Sequence, residues 1–369
     1  MNPLNGVNGV NGLDGTDVAP TMRRSPSPST DELVEVVLPG KVEPDGLQLR
    51  SRPLPLPGPG RARVRMEATG VSFAEQQMRR GRYYDQPRFP FVPGYDVVGI
   101  VEAVGEGVDH DLVGTRVAAL TKTGGWSSHL LLEAADLVPV PTGIEPAEAE
   151  TAVVNGITAW QMLHRKARVR SGQTVLVHGA NGGVGSLLVQ LALAAGAQVI
   201  GTSSARHHEE LRARGVTPVD YHEDIAAQVR RVAPDGVDAV FDHVGGRGLT
   251  DSRRLLAPGG TLVSYGSAST RDAEGSKQWP VLKLIGRVWL WNALPNRRHA
   301  YFYNVWAGRA LSEGRFRARL RADLTEVFGA LRRGEIRPSV AARLPLTRVA
   351  EAMRLAESGT VSGKVVLVP

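Results

Sequence analysis

From Leu33 to Val140, apolar and polar residues alternate in short runs broken by Gly and Pro. Val34-Glu-Val-Val-Leu38 reads as a strand, Pro39 to Gly46 as a hairpin-like turn, and Leu47-Gln-Leu-Arg50 as the return strand. Pro53 to Gly60 holds four prolines and reads as an extended connector. Ala62-Arg-Val-Arg-Met-Glu-Ala68 alternates again. Gly70-Val-Ser-Phe-Ala-Glu75 opens a short helix with Ser72 as its expected cap. Past the Pro93-Gly94 turn come Val97 to Val104, Thr115 to Leu120 and His129 to Leu132, all strand-like. Many short strands with this punctuation predict a partly open β-barrel.

From about Asn155 the texture changes to alternating strands and helices. Thr174-Val-Leu-Val177 and Gln198-Val-Ile-Gly-Thr202 are short, apolar and β-branched, as buried parallel strands are. Ser186 to Ala195 between them reads as a well-buried helix. Glu209 to Arg214 and Ile225 to Val232 read as helices, Pro218 to Tyr221 and Val237 to Asp242 as strands. Leu249 to Leu256 reads as a helix ended by Pro258-Gly-Gly260, and Thr261 to Tyr265 as a strand. The fold class predicted is α/β: a β-barrel domain joined to a doubly wound parallel sheet. Trp279 to Trp306 is aromatic-rich, Ala318 to Leu331 is an amphipathic helix, and Val365 to Val368 closes the chain as a strand. Ile336 to Leu344 is expected to return to the first domain. The expected limits are therefore 31–153 with 316–369 for the first domain and 154–315 for the second. Residues 1–30, with a repeated Asn-Gly-Val and an Arg-Ser-Pro-rich end, hold too few large apolar residues to order and read as a disordered tail.

The turn between the first two parallel strands carries the chemistry. Ala180, Gly182 and Gly185 occupy the three small positions of a G-x-G-x-x-G fingerprint. A small residue at the first position permits the tight turn, Gly182 lets a pyrophosphate approach the backbone, and Gly185 lets the helix pack on the strand. The helix N-terminus then offers free N–H groups to phosphates. The strand–turn–helix–strand context is what this motif requires. An NAD site places an acid about 20 residues on, at the ribose hydroxyls. Here the second strand runs into Thr202-Ser-Ser-Ala-Arg-His-His208, with no acid before Glu209. Ser203, Ser204 and Arg206 suit a 2′-phosphate, which points to NADPH; a solvated helix start is the plainer alternative.

Composition narrows the picture further. The 369 residues, 42% of them apolar, are enough for two domains with large cores. The net charge of +7 is scattered, with no basic stripe interleaved with aromatics, so nucleic acid is not an expected partner. There is no cysteine, which excludes disulfides, thiolate nucleophiles and cysteine-based zinc sites. No apolar run is long enough to span a membrane and no signal core precedes the first domain, so the expectation is cytoplasmic, with no membrane partner.

Several motifs in order carry a resemblance: Gly70-Val-Ser-Phe73, Pro93-Gly-Tyr-Asp-Val-Val-Gly-Ile-Val-Glu-Ala-Val-Gly105, Gly114-Thr-Arg-Val117, Gly179-Ala-Asn-Gly-Gly-Val-Gly185 and Gly363-Lys-Val-Val-Leu367. Over about residues 33–369 the chain resembles the medium-chain dehydrogenase/reductase superfamily, and most of all its zinc-free quinone oxidoreductase (zeta-crystallin-like) branch. The resemblance implies a GroES-like first domain and a Rossmann second domain. Zinc members carry Cys at the Ser72 position and His-Glu at Tyr95-Asp96, so no metal is expected here. Quinone-reducing relatives have Asn at the Ser72 position and Tyr at the Gln77 position; Tyr83 matches a pocket tyrosine of that branch.

What the resemblance implies is hydride transfer from NADPH to a quinone or an enone, without a metal. Ser72, Gln77 and Tyr83 become the candidate donors to the acceptor oxygen, against plainer roles as helix cap, exposed surface and packing. Cofactor contacts are expected from Asn155 and Thr158 near the nicotinamide ribose or phosphate, and from Gly182, Gly183, Val184 and Gly185 at the pyrophosphate. Ser203, Ser204, Arg206 and Tyr221 are expected around the adenosine phosphate. Lys364 resembles a C-terminal lysine that reaches toward the cofactor. Val244-Gly245 and Tyr265-Gly266 follow strand ends on the ligand side of the sheet. The aromatics from Trp279 to Trp306 are open to a substrate mouth, core packing or a subunit interface. Relatives pair Rossmann edge strands, so a homodimer is expected. A biosynthetic enoyl-thioester or polyketide enone reductase, with Arg297-Arg298 meeting a phosphopantetheine or CoA phosphate, and a catalytically silent nucleotide-binding protein remain alternatives.

Overall fold

The computed structural model describes residues 31–246, 248–266, 278–295 and 297–369; the tail expected over 1–30 lies outside them. The described chain opens on an antiparallel hairpin of β1 (Glu32–Val37) and β2 (Gln48–Pro53). The first sheet is built on β3 (Arg61–Val71). Its inward residues Ala62, Val64, Met66 and Ala68 are fully buried, while Arg61, Arg63, Arg65 and Glu67 turn outward. β3 pairs antiparallel with β4 (Asp96–Val104) and with β6 (His129–Glu133). β5 (Arg116–Leu120) follows β4 and pairs in turn with β7 (Val138–Pro139). The C-terminus returns to this sheet: β15 (Lys364–Val368) pairs with β3, and β14 (Val340–Pro345) lies parallel to it. Register shifts at Arg63/Val64 and Met66/Ala68 bend β3 so that it serves this many partners.

The second sheet has six parallel strands in the order β10 (Thr217–Asp220), β9 (Gln198–Ser203), β8 (Thr174–Val177), β11 (Val237–Asp242), β12 (Leu256–Ser264), β13 (His299–Phe302). Counted along this half of the chain that is 3-2-1-4-5-6, the doubly wound order, whose direction reverses between β8 and β11. A crevice at the carboxyl ends of those two strands is the place such a sheet offers a ligand.

Two sequence expectations change here. The helix expected over Leu249 to Leu256 is Gly248–Arg254; Leu256 already belongs to β12, and Pro258-Gly-Gly260 lies inside that strand. Leu256 pairs with Val237 and is 1% exposed, so burial in the sheet overrides the local turn signal. The aromatic-rich stretch also contains a strand, β13, that no alternation announces. Its outer edge is occupied at Ala300. The side-chain amide of Asn292, on the helix Gln278–Ala293, donates to the Ala300 carbonyl and accepts from its N–H, both at 2.8 Å.

Between the sheets lies α2 (Pro146–Trp160; the short α1, Phe73–Arg79, precedes it). It is buried on most of its circumference and packs on β3, β4, the long helix Glu313–Arg332 and the helix that follows β8. One core cluster runs through this seam, from Leu38, Tyr83 and Tyr95 to Phe241 and Tyr303. We propose the two helices as a seam shared by both domains, since the expected limits 153/154 and 315/316 both fall inside them.

Candidate functional site

The phosphate loop follows β8. Gly179 has φ +65°, the left-handed turn that glycine accepts without strain. Gly182 caps α3 (Gly183–Ala194), and its N–H donates to the Gly179 carbonyl at 2.9 Å. A Cβ on Gly185 would lie 2.1 Å from that same carbonyl, so the helix approaches the strand as closely as a residue without a side chain allows. Asn155, on α2, comes against this loop: its Nδ2 lies 2.9 Å from where a Gly183 Cβ would be. Val184 is half-buried beside them. Thr158, one turn along α2, bonds Tyr303.

At the end of β9, Ser203 is buried and Ser204 half-buried. The Tyr221 N–H donates to the Ser203 carbonyl at 3.3 Å, which brings Tyr221, half exposed, beside the serines. Arg206 is exposed, and its guanidinium donates to the Gly359 carbonyl at 3.0 Å and to His207 Nε2 at 3.0 Å. The structure thus gathers all four residues expected around a 2′-phosphate at the end of β9. It also adds the Gly359 carbonyl from the segment before β15.

Across the crevice, Asp242 Oδ1 accepts the N–H groups of Val244 and Gly245 at 2.7 and 2.8 Å and shapes that turn. Tyr265 follows β12, and a Cβ on Gly266 would lie 2.6 Å from the His243 carbonyl. His243 Nδ1 and Ser264 Oγ, at the ends of β11 and β12, are buried and have no hydrogen-bond partner among the described residues. Burial lowers the His243 pKa against the pull of Asp242, so its imidazole is neutral. Unpartnered groups of this kind beside a phosphate loop fit a polar ligand lying across both strand ends.

Three aromatic groups meet here, Tyr83 and Tyr95 from the first domain and Trp306 from the segment after β13. Tyr83 Oη lies 3.0 Å from Tyr95 Oη, and Trp306 Nε1–H donates to Tyr95 Oη at 2.5 Å. Burial pushes both phenols well up, so both keep their protons at neutral pH. Gln77, 7% exposed, is buried and not on the surface, and its Nε2 has no hydrogen-bond partner among the described residues. Ser72 caps α1: its Oγ accepts from the Ala74 N–H and donates to Glu75, whose carboxylate returns to the Ser72 N–H.

Lys364 is placed differently from the expectation. Its ammonium is buried between Asp96 Oδ2 (2.9 Å) and Glu150 Oε1 (2.6 Å), and the crevice receives no charge from it. Asp96 also accepts the Val154 N–H at 3.1 Å, and Glu75 Oε1 the Tyr95 N–H at 2.7 Å. Burial raises Glu150 well above the ordinary carboxylate range, with Asp96 adding to it and Lys364 opposing. Glu75 is raised for the same first reason. Desolvation pulls Lys364 down, but the two carboxylates outweigh it and its pKa ends above the usual lysine value. Two acids facing one ammonium in a dry interior leave a charge uncompensated, and the Glu150 carboxyl answers by holding its proton more tightly. A charged residue in the apolar run Tyr95-Asp-Val-Val98 was the signal for this cluster: a buried acid requires a partner.

Tyr95 and Trp306 are the site residues that sequence reasoning missed. Tyr95 stood only for an absent ligand, and Trp306 was one aromatic among several. The same geometry tests the metal. At the three positions where zinc relatives hold the ion, Ser72 Oγ is engaged in the cap, Tyr95 Oη in the aromatic trio and Asp96 with Lys364. With two neutral hydroxyls and a carboxylate already paired, this donor set does not fit zinc.

Comparison with known proteins agrees with this architecture. Residues 58–142 match the alcohol dehydrogenase GroES-like domain family and residues 215–367 the zinc-binding dehydrogenase family. The synaptic vesicle membrane protein VAT-1 homologue of Rattus norvegicus is 35% identical over 348 residues, covering 90% of this chain and 83% of the relative. The chain belongs to the medium-chain dehydrogenase/reductase superfamily, in its quinone oxidoreductase branch. A mycobacterial quinone oxidoreductase superposes with a TM-score of 0.76 at 30% identity, covering 91% of this chain and all of its own. A mycobacterial structure complexed with NADPH superposes equally well, at 29% identity and with the same coverage. The phthioceranic/hydroxyphthioceranic acid synthase of Mycobacterium bovis is 33% identical over 309 residues, which is 82% of this chain but 14% of the synthase.

Proposed function

We propose that this protein is a zinc-independent, NADPH-dependent reductase that passes hydride to a quinone or an α,β-unsaturated carbonyl. The observation that carries the reading is a glycine-lined phosphate loop at the switch point of the parallel sheet, in one core with a buried cluster of neutral phenols. When bound, NADPH supplies a hydride. The chain's own part is to grip the phosphates at Gly182, Gly183, Val184 and Gly185, hold the ribose side with Asn155 and Thr158, and keep water out. Tyr95 is the donor we assign to the acceptor oxygen. Trp306 donates to it; when Tyr83 does so too, the Tyr95 proton is left to point at the oxygen that gains charge. Gln77 Nε2, buried without a partner among the described residues, is a second donor. The branch membership and the NADPH-bound neighbour support the cofactor and the class of acceptor.

The deciding experiment follows NADPH consumption against quinones, enones and enoyl thioesters. Turnover with a quinone or enone is expected, and Tyr95→Phe should lower kcat about 10²-fold, in the range for losing one such donor. Consumption only with thioesters would instead favour a biosynthetic enoyl reductase, the reading that the synthase relative and Arg297-Arg298 support. No consumption with any acceptor would leave a silent nucleotide-binding protein. Arg206→Ala should weaken NADPH by about tenfold, the worth of one exposed charge-assisted contact, and leave NADH unchanged. Equal loss for both nucleotides would refute the 2′-phosphate assignment.

A cytoplasmic homodimer completes the proposal. No helix among the described residues is long and apolar enough to cross a membrane. Edge pairing through β13 is obstructed at Ala300 by Asn292, so we assign the contact to the neighbouring helix, where Ile285, Trp289 and Leu290 are exposed, with Leu294 just past its end. Sedimentation should give a dimer that Trp289→Glu converts to monomer; a wild-type monomer would count against it.

A further inference from the structure

A chain of buried polar side chains runs beneath the phosphate loop. The Gly179 N–H donates to Thr202 Oγ1 at 3.0 Å, so the proton of that hydroxyl must go elsewhere. His178 Nδ1 is in reach at 3.4 Å. His178 Nε2 lies 3.1 Å from Ser252 Oγ, and Ser252 donates to Asp242 Oδ2 at 2.7 Å. The other Asp242 oxygen takes the Val244 and Gly245 N–H groups. All four are buried: Thr202 on β9, Asp242 on β11, Ser252 on the helix Gly248–Arg254 and His178 in the turn after β8.

One proton arrangement satisfies every link. Asp242 accepts on both oxygens, so Ser252 gives it its proton and turns its own oxygen to His178. His178 must then carry its proton on Nε2, which leaves Nδ1 free to accept from Thr202. We infer that His178, as this neutral tautomer, is a positioning residue that ties the phosphate loop at Gly179 to the Val244–Gly245 turn across the crevice. The inference rests on the nucleotide-binding reading above. Burial lowers the His178 pKa and His243 pushes the same way; Asp242, the charged group facing it, opposes them without winning. Without the chain the two walls of the crevice would be held independently, and any ligand that spans them by its pyrophosphate would meet a looser site.

The test uses His178→Leu, Ser252→Ala and the double variant, titrated with NADPH, NADH and 2′-AMP. Each single variant should raise the Kd of both dinucleotides by about tenfold, the loss of one buried hydrogen bond. Binding of 2′-AMP, which has no pyrophosphate, should not change. The double variant should be no weaker than either single one, because one chain is broken once. In the wild type, ¹⁵N resonances at neutral pH should show a pyridine-type Nδ1 and a pyrrole-type Nε2. An Nδ1–H tautomer, an imidazolium, additive losses, or a fall in melting temperature without loss of affinity would each overturn the inference. Should His178→Leu fail to fold, the smaller change at Ser252 and the resonances decide. A wild type that binds neither dinucleotide sinks the cofactor reading instead, and the tautomer is still read from the resonances.

Discussion

Lys364→Met is expected to lower stability by about 3–5 kcal/mol near pH 8, the cost of leaving buried acids without their counter-charge. The methionine keeps most of the apolar stem and removes only the ammonium that Asp96 and Glu150 share. The loss should shrink as the pH falls. The carboxyl of Glu150 already holds its proton more tightly in the folded chain than its ordinary value of 4.5, because of burial and Asp96. A raised acid binds protons in the folded state that the unfolded chain has released, so stability falls as pH rises through that window. Without the ammonium the window widens upward, so the variant differs most from the wild type above it and least near pH 4.5. In the wild type the raised lysine acts in the opposite range. Its contribution is complete below the ordinary lysine value of 10.5 and disappears as pH climbs past its folded value. Melting curves of the variant and the wild type from about pH 5 to 9 read the carboxylate window, with the variant lower by on the order of 10 °C at the alkaline end. A lysine reaching the cofactor would behave otherwise: the KM for NADPH would rise and the melting curve would stay where it is.

That contrast marks where the sequence was informative. Periodicity found β3, β4, β8, β9 and β11 because burial on one or both faces writes a pattern into the residues themselves. The loop from Gly179 to Gly185 was legible because its small residues are demanded by backbone contacts a few positions away. The placement of Lys364 was not, since Asp96 and Glu150 reach it from β4 and α2 across hundreds of residues. Tyr95 and Trp306 meet for the same kind of reason. Ser72 carried two readings that local sequence could not separate, and the Glu75 carboxylate gives it the cap. The four polar residues under the phosphate loop each look like an ordinary strand-end or helix residue; only the doubly wound order brings them into line.

Gly185→Ala is expected to lose both nucleotide affinity and stability. The added methyl would sit 2.1 Å from the Gly179 carbonyl oxygen, 2.9 Å from its carbon and 3.3 Å from Ala180 Cα, all backbone atoms with no rotamer to change. Gly179 has no room to retreat, because the His243 imidazole lies 2.5 Å from where its own Cβ would be. The strain must therefore move α3 away from β8, at a cost of about 1–3 kcal/mol in the fold. It also turns the first N–H groups of the helix away from the phosphates, for a loss of at least about tenfold in NADPH affinity. Gly182→Ala separates the two effects. Its methyl would meet only the Gly179 oxygen, at 3.3 Å, and would otherwise face the crevice. Folding should be nearly unchanged while affinity falls, because the methyl occupies the approach the pyrophosphate needs. Thermal melting with and without NADPH reads both variants in one experiment. A Gly182→Ala protein that melts normally and is still stabilised by the nucleotide as the wild type is would mean that the phosphates do not pass over this loop, and the proposed function would fall with it.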